Sequence, residues 1–128
     1  MSATVMVVED EPDLMLTFRI VLRTAGYDVI EASSGEEALS VLGEVLPDAV
    51  ILDLRLPGMD GWQVLSEIRG GEEPPAVPIL IASANAGLCE QVRANELGCS
   101  ELLGKPFSPE QLRESLARVL AGASVSSP

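Results

Sequence analysis

The sequence predicts a doubly wound α/β fold, a five-stranded parallel sheet covered by five helices. Three observations carry that expectation. Short apolar or β-branched runs recur at Val5–Val8, Val29–Ala32, Ala49–Leu52, Ile79–Ala82 and Glu101–Leu103, and a longer amphipathic stretch follows each of them. Strands buried on both faces read as continuous apolar runs, and the crossover between parallel neighbours is normally a helix. Length supplies the third observation, since 128 residues build one core but not two. The reading is one domain over residues 1–120. Residues 121–128, Ala-Gly-Ala-Ser-Val-Ser-Ser-Pro, have little to bury and read as a flexible tail or the start of a linker.

Each helix is marked locally. The first opens with Pro12 at a position that tolerates proline, and Leu14, Phe18, Val21, Leu22 and Ala25 fall on one face. Ser34 with Glu37 fits a capping box for the second helix, and Asp60 with Gln63 is a looser variant for the third. The fourth, about Gly87 to Leu97, has the weakest apolar stripe, Leu88 and Val92 diluted by Asn95 and Glu96, and is the element expected to shift most readily. The fifth starts at Ser108-Pro109 with Gln111 completing a box, and places Leu112, Leu116, Val119 and Leu120 on its inner face.

Composition excludes several functions. No apolar run approaches the roughly 20 residues that span a bilayer. The N-terminus runs from Met1 into Val5-Met6-Val7-Val8 without a basic region or cleavage pattern, so a cytoplasmic location without membrane association is expected. A formal charge of −12 repels phosphate backbones and argues against direct nucleic-acid binding. The absence of histidine removes Ser-His-Asp and Cys-His catalysis, histidine-ligated zinc and any phosphohistidine carrier. Cys89 and Cys99, ten positions apart and largely separated by helix, are expected as free thiols.

The chemistry must then run on carboxylates, hydroxyls and lysine. In an open parallel sheet the functional crevice lies beyond the carboxyl ends of the strands. There the sequence puts Glu9-Asp10-Glu11, Asp53, Ser83 and Lys105, from four separate loops. Asp53 ends a fully apolar run, and burying it beside Glu9 and Asp10 is strongly repulsive without a cation between them. Magnesium suits the cluster, because it takes oxygen ligands in octahedral geometry and commonly keeps water and phosphate among them. Lysine supplies a compact cation for phosphoryl oxygens, and a strand-end hydroxyl donates to another.

Four segments carry a resemblance: Val7-Val8-Glu9-Asp10-Glu11-Pro12, Leu52-Asp53-Leu54-Arg55-Leu56-Pro57-Gly58-Met59-Asp60-Gly61, Ala82-Ser83-Ala84 and Gly104-Lys105-Pro106-Phe107. In order and spacing, across residues 4 to 120, they are similar to the receiver domains of two-component response regulators. The resemblance implies a flavodoxin-like sheet of strand order 2-1-3-4-5 and a phosphorylation switch that is not an enzyme beyond its own phosphorylation and dephosphorylation. It implies Asp53 as phosphoacceptor, Asp10 as a direct Mg2+ ligand, Glu9 as the second acidic position, a backbone carbonyl of Arg55 on the metal, Ser83 as switch hydroxyl, Lys105 as phosphate contact and a cis Lys105-Pro106 bond.

Its partners would be a sensor histidine kinase or a histidine phosphotransfer protein, with a homodimer or an effector on the face of the fourth helix, fifth strand and fifth helix. Effector segments common in the family would lie beyond Pro128. Two residues depart from the pattern. Glu9 is one methylene longer than the commoner aspartate, which leaves direct and water-mediated metal contact both open. Leu102 stands where many members carry a switching tyrosine or phenylalanine. The alternatives are a degenerate receiver serving as a docking module and an aspartate-nucleophile phosphohydrolase of the haloacid-dehalogenase type. The latter wants an aspartate at the position held by Arg55.

Overall fold

The computed structural model describes residues 2–56, 58–70, 77–84 and 87–122, with residues 88 and 89 described by their backbone alone. Five strands and five helices alternate: β1 Thr4–Val8, α1 Pro12–Thr24, β2 Asp28–Ala32, α2 Gly35–Leu42, β3 Ala49–Asp53, α3 Gly61–Arg69, β4 Ile79–Ser83, α4 Leu88–Glu96, β5 Glu101–Gly104 and α5 Pro109–Leu120. The strands form one parallel sheet in the order β2-β1-β3-β4-β5, as the resemblance implied.

Burial follows position in the sheet. Every residue of the central β3 and β4 is buried, whereas the edge strand β5 is half-buried throughout and β2 has only Ala32 buried. Alternate residues feed two cores. On one face Met6, Val8, Val50, Leu52, Ile79 and Ile81 pack with Val64, Leu65 and Ile68 of α3 and Ala38 of α2. On the other, Val5, Val7, Ala49, Ile51 and Leu80 pack with Phe18 and Leu22 of α1 and Leu112 and Leu116 of α5. The Phe18 and Phe107 rings, 5.5 Å between centroids, close that second core near the functional edge.

The helix starts obey the local rules, with two adjustments. Pro12 and Pro109 are the first helical residues. Asp60/Gln63, the looser candidate, is a complete reciprocal box like Ser108/Gln111. Ser34 caps the Glu37 N–H at 3.1 Å, but the Glu37 carboxylate reaches one residue further back, to the Ser33 N–H.

Side-chain placement corrects three expectations. Ala25 is exposed because it is already the residue after α1, and Met15 takes the inner position in its stead. Leu14 is only half-buried. In α4, Val92 is 48% exposed, and it is Ala94 that meets the core. The side chains of Leu88 and Cys89, and the tail from residue 123 onward, lie outside the described residues. Cys99 is free and half-buried, its Sγ 2.8 Å from the Glu101 carbonyl oxygen, and burial pushes its thiol up to about 11. Among the described residues no helix is long and apolar enough to cross a membrane.

Candidate functional site

The carboxyl ends of β1, β3, β4 and β5 converge because the strands are parallel and in register. Asp53 pairs with Ala82 across β3 and β4, and Ser83 with Gly104 across β4 and β5. The loop after β5 therefore swings back over the same edge, tied by a 2.7 Å bond from the Lys105 N–H to the Ser83 carbonyl. The Lys105-Pro106 peptide is cis, as the resemblance implied.

Three of the expected carboxylates come together. Glu9, Asp10 and Asp53 each offer an oxygen within 4.8 Å of the others. Glu9 and Asp53 are 2% and 4% exposed, whereas Asp10 faces solvent. The Lys105 ammonium lies 3.1 Å from Asp53 Oδ1 and 3.8 Å from Glu9 Oε1. Ser83 is buried, and with Asp53, Leu54, Arg55, Ala84 and Lys105 it lines a cavity of about 100 Å³.

Two site contacts escaped the sequence reading, although a signal for them was present. The Arg55 N–H donates to Asp53 Oδ1 at 3.1 Å, and the Glu11 N–H donates to Glu9 Oε2 at 3.1 Å. In each, a carboxylate binds the amide two residues on, the turn that aspartate favours at the end of a regular element. Thus Arg55 meets Asp53 through its amide.

The electrostatics are unbalanced. Glu9 Oε1 is buried without a hydrogen-bond partner, a costly state for a carboxylate. Burial, opposed by the Glu11 amide and reinforced by the Asp53 carboxylate, pushes the Glu9 carboxyl up to about 7. Among the described residues one ammonium, that of Lys105, pairs with the two buried acids. An orphaned carboxylate oxygen, two further acidic oxygens within reach and a purely oxygen donor set fit a hard divalent cation such as Mg2+.

Residues 5–117 match the response regulator receiver domain family. The chain is 38% identical to the transcriptional regulatory protein KdpE of Mycobacterium tuberculosis, over 97% of this chain and 55% of that protein. A crystal structure of a Chloroflexus aurantiacus response regulator superposes with a TM-score of 0.87 at 36% identity, covering 94% of this chain and 99% of the other. The receiver domain of the sensor histidine kinase PA1611 from Pseudomonas aeruginosa superposes with a TM-score of 0.84 at 30% identity, over 94% of this chain and 99% of that one. That structure has a magnesium ion coordinated in its active-site cleft. The chain spans about half the length of the curated relatives it matches. With the five-stranded sheet in the order 2-1-3-4-5, these matches make the chain a member of the response regulator receiver domain family of two-component systems.

Proposed function

We propose that the chain is a phosphorylation-dependent switch in which Asp53 accepts a phosphoryl group from a sensor histidine kinase or a histidine phosphotransfer protein. The observation that carries this reading is a nearly buried carboxylate at a strand end, 3.1 Å from an ammonium and within 4.8 Å of two further acids. A carboxylate oxygen of Asp53 attacks the phosphorus, the P–N bond to the donor imidazole breaks, and an acyl phosphate remains. Lys105 would pair with the added negative charge and Ser83 would donate to a phosphoryl oxygen, a reading supported by the small cavity that both line beside Asp53.

Glu9, Asp10, Asp53 and the Arg55 carbonyl would hold Mg2+, which supplies charge neutralisation for the incoming phosphoryl group. Residues 1–120 form the receiver, and the location is cytoplasmic. The output surface is α4, β5 and α5, where a second copy or an effector docks. Phos-tag electrophoresis after treatment with acetyl phosphate tests the acceptor. The wild type should shift and Asp53→Asn should not, because the amide keeps the shape but is a very poor nucleophile. A shifted band that survives in Asp53→Asn would assign the chemistry to another residue.

A further inference from the structure

α4 is held differently from the other helices. Of its described side chains only Ala94 is buried. Between α3 and α4 lies a cleft of about 550 Å³, with Trp62, Ser66, Glu67 and Gly70 on the α3 side and Arg93 on the α4 side. Arg93 spans it, the guanidinium carbon 4.5 Å from the centroid of the half-buried Trp62 ring. Beyond the far end of α4, Arg69 from α3 donates to the Gly98 carbonyl at 3.1 Å and to the Val77 carbonyl at 2.7 Å. Arg93 thus ties α4 to α3 across the cleft, while Arg69 ties α3 to the turn that follows α4.

The start of α3 is seated on the phosphoacceptor strand. The Gly61 N–H donates to the Leu54 carbonyl at 3.1 Å. A Cβ at Gly61 would lie 2.6 Å from the Asp53 carbonyl oxygen and 2.6 Å from the Leu54 Cα, so backbone touches backbone there with no slack. A shift of residues 53–54 must therefore move Gly61, and with it Trp62, the next residue.

We propose that Arg93 and Trp62 form a latch that sets the resting position of α4 and connects it, through the start of α3, to the Asp53 site. A cation over a ring tolerates sliding and parts without opening a void in the core, unlike interdigitated side chains. Such a contact suits a helix that must have two positions. The resting half of the latch stands on geometry alone, and its connection to the site rests on the phosphorylation reading.

Trp62 is the chain's only tryptophan, so its emission reports the contact directly. Amide exchange of residues 88–96 in the unphosphorylated chain should rise about two- to fivefold in Arg93→Met, the loss expected for an exposed cation–π pair, and less in the charge-retaining Arg93→Lys. The wild-type emission should change on adding beryllofluoride with Mg2+, and Arg93→Met should lack most of that change while Asp53 still labels normally. Unaltered α4 exchange in Arg93→Met overturns the latch. Wild-type emission that ignores beryllofluoride in protein that labels at Asp53 overturns its connection to the site. Failure of Asp53 to label in every variant falls on the phosphorylation reading instead, and resting exchange still decides the latch.

Discussion

At the scale of single residues, Glu9 is where the site is least settled. Its carboxyl is buried, has one oxygen without a hydrogen-bond partner and is pushed up to about 7, chiefly by burial. Below that pH it holds a proton, and a metal ion bound there must displace it. Magnesium affinity should therefore rise as the pH climbs to about 7 and level off above, with about a tenfold loss per pH unit below it. Titration calorimetry on either side of that pH, in the wild type and in Glu9→Gln, measures the slope. The variant should bind more weakly and without the pH dependence. A wild-type affinity that is flat across the window would remove Glu9 from the ligand set. Asp10 and Asp53 could be named from their places after β1 and β3, but the burial that singles out Glu9 could not, since Glu9, Asp10 and Glu11 read alike in sequence.

At the scale of elements, Ser83 and Leu102 belong to neighbouring strands but stand in different surroundings. Ser83 is buried in the small cavity beside Asp53, while Leu102 is half-buried against the core that α3 shares with the sheet. Rearrangement around a new phosphoryl group should therefore depend on the hydroxyl more than on the aliphatic side chain. Ser83→Ala should diminish the change in amide exchange over residues 88–122 on beryllofluoride binding, and Leu102→Ala should diminish it less. A change confined to α2 and α3 in the wild type would relocate the output face. The element order was legible because β1, β3 and β4 are built on unbroken apolar runs and the starts of α1, α2, α3 and α5 carry a capping residue or a proline. What sequence could not show was how α4 is held. Its stripe pointed to Val92, yet Ala94 faces the core, and the anchoring falls to Arg93 on Trp62 and Arg69 on the Gly98 carbonyl. Those contacts span helices distant in sequence and follow no local period, so only the folded chain displays them.

For the molecule as a whole, a net charge of −12 and three carboxylates at one edge mean that folding concentrates repulsion at the site. Glu9 makes this pH-dependent. Its folded pKa of about 7 lies above the ordinary 4.5, so protonated Glu9 contributes stability fully below about 4.5. That contribution is lost as the pH rises through 7, and the metal-free protein should be weaker at the site just above neutrality. A divalent ion binding only the folded state restores stability by mass action, about 2.7 kcal/mol at a hundredfold excess over Kd and on the order of ten degrees in Tm for a domain of this size. Thermal melts across a magnesium titration should show that rise above pH 7, a smaller one near pH 5 (~two units below, where the proton competes), and full reversal by EDTA. Calcium or sodium at matched ionic strength separates site binding from general screening of surface charge, because screening is indifferent to the ion's size and coordination. A Tm that follows ionic strength alone, equally at both pH values and equally in Asp53→Asn, would mean that Glu9, Asp10 and Asp53 tolerate their mutual repulsion without a metal.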